Sequence, residues 1–334
     1  MIKVSIKLIC LYICIKILYF MTITQLKYVL AVAEHKNFTL AAEKCFVTQP
    51  TLSMQIQKIE EELNILIFDR SKKPIQLTDI GIKIVSQAKN IVNEADRIQD
   101  IVEQQKGYIG GEFRLGIIPT VMPTLLPMFL NNFIKKYPKI KLIIEELNTD
   151  EIITRLNSGT LDAAIAATPL MEEKIKEIVL YYEPFVAYLP ENHTHTNKKE
   201  IEISDLNIEE ILLLQDGHCF RDGILNLCKN DKNFNTNHFQ IESGSFETLI
   251  KLADEGLGMT LLPYLHTLDL NENNKLKLKH FSEPKPAREV SLIFPKNELK
   301  IHIIEALRAC ISGVIKGAIA FQNVQIISPL QKNK

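Results

Sequence analysis

Hydrophobic residues at three- and four-residue spacings predict three helices near the start of the chain. In the first helix, from Thr24 onward, the spaced positions are Leu26, Val29, Leu30 and Ala33. A second helix is expected over residues 39–44, where Thr39 is able to cap it. Thr48 is a good N-cap for the third helix, and Pro50 suits its first turn because the N–H there has no helical partner. The third helix carries an apolar stripe of Leu52, Ile56, Ile59 and Leu63.

Two short helices joined by a tight connection suit the major groove of DNA. The third helix begins with small, uncharged polar side chains that let it approach base edges, and a glutamine there can pair with adenine. The predicted DNA contacts on this helix are Thr48, Gln49, Pro50, Thr51, Ser53, Gln55 and Lys58. A hairpin wing is predicted over residues 68–78, and its basic side chains would meet phosphates or a narrow minor groove. These side chains are Arg70, Lys72 and Lys73.

The pattern therefore predicts a winged helix-turn-helix over residues 21–80. The alternative is a solvated basic turn on an ordinary helical bundle. A long helix follows over residues 78–106, with apolar positions that alternate four- and three-residue steps: Ile84, Ala88, Ile91, Ala95, Ile98 and Val102. Such a seam pairs helices. Because no intrachain partner is evident nearby, we expect a homodimer that places two reading heads on symmetric half-sites. The alternative is an amphipathic helix packed on its own domain.

Strand-like and helix-like segments alternate in the second part of the chain. The predicted strands are residues 113–118, 142–144 and 163–166, and the predicted helices are residues 123–137 and 150–157. This alternation predicts an α/β fold with parallel strands. Ligands bind at the carboxyl ends of such strands, where Thr120 and Thr149 lie. Each threonine is equally able to be a helix cap.

Composition limits what the chain can be. It has 334 residues and a formal net charge of -1, so any contact with nucleic acid must come from a local basic patch. Six cysteines are too sparse for a secreted disulfide scaffold and favour a reducing cytoplasm. None of their spacings is a zinc pattern, so we expect no metal and no cofactor.

Residues 1–20 are apolar but interrupted by Lys7 and Lys16, which makes them a poor signal peptide and a poor membrane span. We therefore expect no membrane partner and a protein whose synthesis begins at Met21.

The most informative chemical motif surrounds Cys219. His218 and Arg221 flank this cysteine, and Cys228 follows nine positions later. Positive neighbours lower the pKa of a thiol, the thiolate reacts with peroxides, and a second thiol can trap the product as a disulfide. If the segment is helical, the two Cα atoms lie about 13–14 Å apart, whereas a disulfide needs about 4.4–6.8 Å. Oxidation must then unwind the segment, and Gly223 in its middle favours that.

From Met21 onward the chain resembles the LysR-type transcriptional regulators, and its second half resembles their hydrogen-peroxide-sensing branch. The matching segments are Leu40-Ala41-Ala42, Thr48-Gln49-Pro50-Thr51-Leu52-Ser53, Gln55-Ile56, Ile59-Glu60-Glu61-Glu62-Leu63, and Leu214 to Asp222 with Cys228. The resemblance implies a winged helix-turn-helix, a dimerising linker helix and a two-lobed effector domain like the periplasmic binding proteins. It places lobe I at residues 111–185 and 286–322, lobe II at 186–285, and an unconstrained tail at 323–334.

The resemblance also implies roles for particular residues. Cys219 is then the peroxidatic cysteine and Cys228 its resolving partner. The implied peroxide pocket consists of Thr120, Thr149, His218, Arg221, Asp222 and Arg288. Implied partners are double-stranded DNA, RNA polymerase, further copies in a homodimer or homotetramer, and glutaredoxin or glutathione as reductant. Met54 and Gln57 depart from the family pattern, which often has basic residues there.

Several functional interpretations compete. We expect a non-enzymatic regulator of oxidative-stress genes that is switched by a Cys219–Cys228 disulfide. The first alternative is a LysR-type regulator that binds a small metabolite near Thr120 and Arg288. Others are a thiol peroxidase or disulfide reductase, and a repressor whose cysteines are inert structural residues.

Overall fold

The chain divides into two compact units, and the boundary along the sequence falls between Val102 and Glu103. The computed structural model describes residues 21–105, 110–228, 243–319 and 324–329. The apolar extension predicted at residues 1–20 lies outside the described residues. No helix in the described ranges is both long enough and apolar enough to cross a membrane.

The first unit is built as a winged helix-turn-helix followed by a long helix. Its elements are α1 (Ile23–His35), α2 (Phe38–Lys44), α3 (Gln49–Leu63), β1 (Phe68–Asp69), β2 (Gln76–Leu77) and α4 (Asp79–Gln105). The two short strands pair antiparallel, with Phe68 opposite Leu77, and form the predicted wing. The core of the unit consists of Val29, Val32, Ala41, Ala42, Leu52, Ile56, Ile59, Ile67 and Phe68. Three of the four residues predicted for the α3 stripe are therefore buried, whereas Leu63 is 39% exposed.

Side-chain caps fix where the short helices begin. The Oγ1 of Thr48 accepts from the N–H of Thr51, so the predicted cap of α3 is confirmed. The predicted cap of α2 is wrong. Asn37 caps that helix, because its Oδ1 accepts from the N–H of Thr39 at 2.8 Å and of Leu40 at 3.1 Å. Thr39 already lies inside the helix, where its hydroxyl cannot take that role.

The first half of α4 has an intrachain partner. Ile84 packs against the helix-turn-helix core, and Ala88 and Val92 are buried against Leu26 of α1. The expectation that the heptad seam lacks an intrachain partner is therefore wrong for this half. Further along the same seam, Ile98 is 63% exposed.

The second unit is a mixed α/β domain. Its helices are α5 (Met122–Lys136), α6 (Thr149–Asn157), α7 (Cys219–Leu227), α8 (Phe246–Asp254), α9 (Tyr264–Leu268), α10 (Glu272–Leu276) and α11 (Ile301–Ala318). Its strands are β3 (Gly111–Ile117), β4 (Ile140–Glu146), β5 (Ala163–Thr168), β6 (Ile175–Tyr188), β7 (Glu200–Ile201), β8 (Thr260–Pro263), β9 (Leu278–Phe281), β10 (Lys285–Pro295) and β11 (Val324–Ile326). The predicted α/β class is confirmed.

The strands that the structure describes in this unit form one nine-stranded mixed sheet. The order is β4-β3-β5-β10-β6-β9-β7, with β8 added to β6 and β11 added to β10. β3 is parallel to β4 and β5, as predicted, whereas β10 is antiparallel to both β5 and β6. β4 lies at the sheet edge and is only partly buried. The predicted parallel arrangement thus holds for the first three strands, whereas the rest of the sheet mixes parallel and antiparallel pairs.

Two hydrophobic cores lie in this unit, and β6 passes through both. Tyr181 belongs to the first core, which also contains Phe113, Phe129 and Phe294. Phe185, four residues further along β6, belongs to the second. The lobe boundaries drawn from the sequence remain predictions.

The tail was expected to be unconstrained, and that expectation is wrong for residues 324–329. β11 pairs parallel with β10, placing Val324 beside Lys285. Ile327 is 8% exposed in the second core, and its N–H donates to the carbonyl of Ala287 at 2.7 Å. The Nδ2 of Asn226 donates to the carbonyl of Ser328 at 2.9 Å, so the tail also holds α7.

Candidate redox centre and DNA interface

Cys219 lies where the two cores of the effector unit meet. It is the first residue of α7, and His218 precedes it as the N-cap. The Cys219 side chain packs in the first core, whereas the ring of the next residue, Phe220, packs in the second. A change in the position of this turn therefore acts on both cores.

A buried ion pair lies beside the thiol. Arg288 on β10 and Glu183 on β6 are register partners, and their exposures are 3% and 1%. The Nε and Nη2 of Arg288 donate to Glu183 Oε2 at 2.9 and 2.7 Å, while Glu183 Oε1 accepts from the N–H of Leu265 at 2.9 Å. Because both charges are paired and hydrogen-bonded, the pair tolerates its burial.

Arg288 also fixes Thr120. Its Nη1 donates to Thr120 Oγ1 at 2.8 Å and its Nη2 donates to the Thr120 carbonyl at 3.0 Å. The guanidinium carbon stands 5.1 Å from the centre of the Phe220 ring. Since Thr120 Oγ1 accepts from Arg288, the hydroxyl proton of Thr120 remains available to another acceptor.

Burial raises the pKa of the Cys219 thiol. Arg288 is the main influence in the opposite direction, and weaker ones come from the Thr149 hydroxyl and the N–H of Ala167, while Asp222 raises the pKa further. The net effect is an elevated pKa, so the thiol is mostly protonated at neutral pH.

The prediction that His218 and Arg221 supply the positive charge beside Cys219 is wrong. Arg221 lies two residues after Cys219 in α7, and side chains at that spacing do not face each other on a helix. Its Nε pairs with Asp216 Oδ1 at 2.8 Å and its Nη1 donates to the Leu214 carbonyl at 3.0 Å. Burial lowers the pKa of His218, which is therefore mostly neutral. The cation near the sulfur is Arg288.

Thr149 is placed to contact the thiol rather than to cap a helix. Asn148 is the cap of α6, because its Oδ1 accepts from the N–H of Glu151 at 2.8 Å. The Thr149 Oγ1 is fully buried and has no oxygen or nitrogen partner among the described residues. Its geometry toward the Cys219 sulfur falls short of a full hydrogen bond, yet the hydroxyl is close enough to lower the pKa of the thiol.

The second thiol lies at the other end of the same helix. Cys228 is the C-cap of α7, it is partly buried, and neither cysteine is in a disulfide. Nine helical steps separate the two Cα atoms by about 13.5 Å, so a bond between the two sulfurs would require α7 to unwind. The residues that follow, 229–242, lie outside the described part of the chain.

Sequence reasoning missed Glu183 and Phe220. The available signal for Glu183 is that it is the one charged residue in positions 178–188 of this strand, because a buried carboxylate requires a buried cation. The structure also places a hydroxyl near the pair that was not predicted. Tyr181 shares a face of β6 with Glu183, and its Oη is buried without a partner among the described residues.

The predicted DNA contacts are mostly exposed, although several of them have intramolecular partners. The exposed members are Thr48, Gln49, Pro50, Thr51, Lys58, Arg70, Lys72 and Lys73, and Ser53 and Gln55 are half-buried. The Gln55 Oε1 accepts from Gln25 Nε2 at 3.0 Å. The Arg70 Nη2 donates to Glu60 Oε2 at 2.8 Å, and its guanidinium lies 5.1 Å from the centre of the Phe38 ring. Arg70 is therefore held against its own domain rather than free to reach a phosphate.

Residues 23–82 match the bacterial regulatory helix-turn-helix family of the lysR type, and residues 106–315 match the LysR substrate binding domain. The DNA-binding transcriptional dual regulator OxyR of Escherichia coli K12 is 33% identical over 88% of this chain and 97% of its own length. A hydrogen peroxide-inducible genes activator of Pectobacterium carotovorum is 34% identical over 82% of this chain and 90% of its own length.

Solved structures agree with these relatives. A full-length OxyR from Pseudomonas aeruginosa with a cysteine-to-aspartate substitution is 34% identical, covers 88% of this chain and 98% of its own, and has a TM-score of 0.71. A cysteine-to-serine OxyR mutant from Corynebacterium glutamicum, H2O2-bound, is 27% identical, covers 89% and 93%, and has a TM-score of 0.60. The resemblance seen in the sequence is confirmed: this chain belongs to the LysR family of DNA-binding transcription regulators.

Proposed function

We propose that this protein senses hydrogen peroxide through Cys219 and Cys228 and controls oxidative-stress genes. One observation carries the proposal. A buried thiol lies near the Thr149 hydroxyl and near a buried arginine that holds the Thr120 hydroxyl, and a second thiol is the C-cap of the same nine-residue helix. The relative from Pectobacterium carotovorum, which is named a hydrogen peroxide-inducible genes activator, supports the same function.

The chemistry proceeds in two steps. The Cys219 thiolate attacks one oxygen of hydrogen peroxide, the O–O bond breaks, and the sulfur becomes a sulfenic acid. The leaving hydroxide takes the proton released by the thiol and departs as water. The Cys228 thiolate then attacks the Cys219 sulfur, expels hydroxide that is protonated to a second water, and completes the disulfide.

Arg288 and Thr120 compensate for the high pKa of the thiol. Arg288 brings a permanent positive charge beside the sulfur, so it stabilises the negative charge that grows as the thiol loses its proton. Thr120 is oriented by Arg288 and keeps its own proton as a donor to the peroxide. The Thr149 hydroxyl at the start of α6 and the N–H of Ala167 on β5 also stabilise the anionic sulfur. In this proposal His218 shapes the pocket as a neutral ring, and Arg221 and Asp222 hold the turn.

The switch in DNA binding follows from the unwinding of α7. Cys219 and Phe220 contact different cores, so moving Cys219 toward Cys228 pulls on both. The exposed Ile98 on α4 supports pairing of the linker helices in a homodimer, and a homotetramer of four reading heads would respond to rearranged effector units. RNA polymerase contact and reset by glutaredoxin or glutathione complete the proposed cycle.

The metabolite-sensing alternative is less well supported by the charges of the site. An organic anion in the cleft would need a cation whose charge is not already neutralised. Arg288 is paired with Glu183 through two hydrogen bonds and donates a third to the Thr120 carbonyl. Among the described residues, no group of three or more candidate ligands is placed to hold a metal ion.

The test compares reduced and peroxide-treated full-length protein. We expect mass spectrometry to find a Cys219–Cys228 bond after micromolar peroxide, and a footprint on the protein's own upstream DNA to change. Cys219→Ser should abolish both effects, and Cys228→Ser should stop at the sulfenic acid. Cys310→Ser is the matched control, since this partly buried cysteine lies on α11 and outside the motif in sequence. Induction that survives in Cys219→Ser points instead to a metabolite.

A further inference from the structure

Phe46 is the most exposed large hydrophobic side chain of the described residues, at 95%. It lies in the turn between α2 and α3, only two residues before Thr48, the cap of the recognition helix. A phenylalanine ring left in water forgoes the burial that drives folding. Folding of this domain therefore gives no reason for a phenylalanine at this position.

The backbone of Phe46 is also unfavourable for this residue type. Its φ is 55°, in the left-handed region that glycine and asparagine adopt more readily. Two hydrogen bonds fix that conformation: the N–H of Phe46 donates to the Glu43 carbonyl at 3.1 Å, and the N–H of Val47 donates to the Ala42 carbonyl at 3.0 Å. The turn thus holds an exposed aromatic ring in a fixed backbone geometry, and such outliers concentrate at functional sites.

The surroundings of Phe46 identify the partner surface. Thr48 and Thr51 are exposed immediately beyond it at the start of α3, which is the part of a recognition helix that meets base edges. Met54 is 60% exposed and shares a helix face with Thr51 and Lys58 by its three- and four-residue spacings. The apolar ring is therefore continuous with the family's DNA-binding surface and is not part of a separate patch.

We propose that Phe46 reads DNA by apolar contact, packing on the methyl group of a thymine in the major groove of each half-site. The C5 methyl of thymine is the apolar feature of that groove, and aromatic side chains are among its known partners. Met54 extends the same apolar surface along α3. It occupies a position at which a charged side chain would contact phosphate. The proposal rests on the DNA binding of the helix-turn-helix unit and adds a determinant of its sequence preference.

The experiment uses full-length protein and a duplex selected from a random library by the wild type. Phe46→Asn removes the ring and suits the left-handed backbone, so the melting temperature should stay equal or rise. We expect affinity for the selected duplex to fall about tenfold, because a good base contact is worth that much discrimination. The slope of log K against log salt should not change, since no phosphate contact is lost. Leu66→Asn is the control, a 64% exposed leucine outside the turn and α3, and should bind like the wild type.

Replacing single thymines by deoxyuridine tests the contact itself. At one thymine per half-site, loss of the methyl should weaken wild-type binding several-fold and leave Phe46→Asn unaffected, which is the coupling expected of groups in contact. Binding by Phe46→Asn within twofold of wild type, or equal losses for both proteins at every thymine, overturns the inference while DNA binding stands. Failure of the wild type to select any duplex overturns both.

Discussion

Arg288 Nη1 donates to Thr120 Oγ1 at 2.8 Å, and this bond joins the strand that carries the buried ion pair to the loop after β3. Because the Thr120 oxygen is engaged as an acceptor, its proton remains available for donation. The hydroxyl is thereby held as a donor by the same guanidinium that opposes the raised pKa of the Cys219 thiol.

The first prediction concerns this hydroxyl. Thr120→Val keeps the shape of the side chain and removes the donor, so we expect sulfenic acid formation to slow roughly 100-fold, the usual effect of losing one preorganised donor. Stopped-flow kinetics with single-turnover peroxide measures this. Thr120→Ser keeps the hydroxyl and should stay within a few-fold of the wild type. Equal rates for Thr120→Val and the wild type would show that the hydroxyl has no part in the reaction.

The second prediction is the pH dependence of oxidation. The pKa of Cys219 is raised by burial, so the thiolate is a small fraction at neutral pH and grows as pH rises. The rate of sulfenic acid formation should increase about tenfold per pH unit from about pH 6.5 to about pH 8.5, because thiolate is the nucleophile. Arg288→Gln should lower the rate at each of these pH values, since the cation that opposes the raised pKa is removed. A rate that levels off near neutral pH would contradict this account of the thiol.

Much of the DNA-binding unit could be predicted from sequence, because its contacts are local. The three- and four-residue spacing of Ile56 and Ile59 places both in the core, and Thr48 caps α3 through a residue three positions away. The error at Thr39 has the same local scale: two polar residues stood near one helix start, and the backbone of Asn37 was the one in the extended conformation that a cap requires.

The thiol environment could not be predicted from neighbours in sequence. His218 and Arg221 stand beside Cys219 in the chain, but helical geometry turns Arg221 away and burial leaves His218 neutral. The charge that acts on the sulfur comes from Arg288, which is paired with Glu183 across 105 positions of sequence. Strand order and register decide such pairs, and one sequence does not reveal them.

The third prediction concerns the unwinding of α7. A Cβ at Gly223 would meet only Phe185 Cζ, at 3.5 Å, an ordinary contact, so Gly223→Ala fits. Alanine stabilises a helix interior by about 1 kcal/mol relative to glycine. If that stabilisation is lost on the way to the disulfide, the bond between Cys219 and Cys228 should form about five-fold more slowly.

Its control separates the two chemical steps. Sulfenic acid formation should be unchanged in Gly223→Ala, because the first step leaves α7 intact. Gly313→Ala on α11 adds a methyl with nothing within 4 Å and should alter neither step. Both steps can be followed by mass spectrometry of quenched samples. Disulfide formation at the wild-type rate in Gly223→Ala would mean that α7 does not unwind before the bond closes.

The last prediction concerns the position of the wing. Glu60 on α3 is buried, and its Oε1 accepts from the N–H groups of Ile67 at 2.8 Å and Phe68 at 3.1 Å. Its Oε2 accepts from Arg70 Nη2 at 2.8 Å, so one carboxylate joins the recognition helix to β1 and to the basic wing. Glu60→Ala leaves two buried N–H groups without acceptors, each at a cost of about 1–3 kcal/mol, whereas the partly exposed Arg70 guanidinium can turn to water.

We therefore expect Glu60→Ala to lower the unfolding free energy by at least about 2 kcal/mol, with a loss of DNA affinity because the wing no longer has a fixed place beside α3. Urea unfolding and fluorescence anisotropy measure the two effects. Glu61→Ala is the matched control: this exposed neighbour accepts from Gln57 Nε2 at 2.9 Å on the helix surface, and its loss should cost no more than about 0.5 kcal/mol. Equal stability of the two variants would show that the carboxylate of Glu60 does not hold the wing.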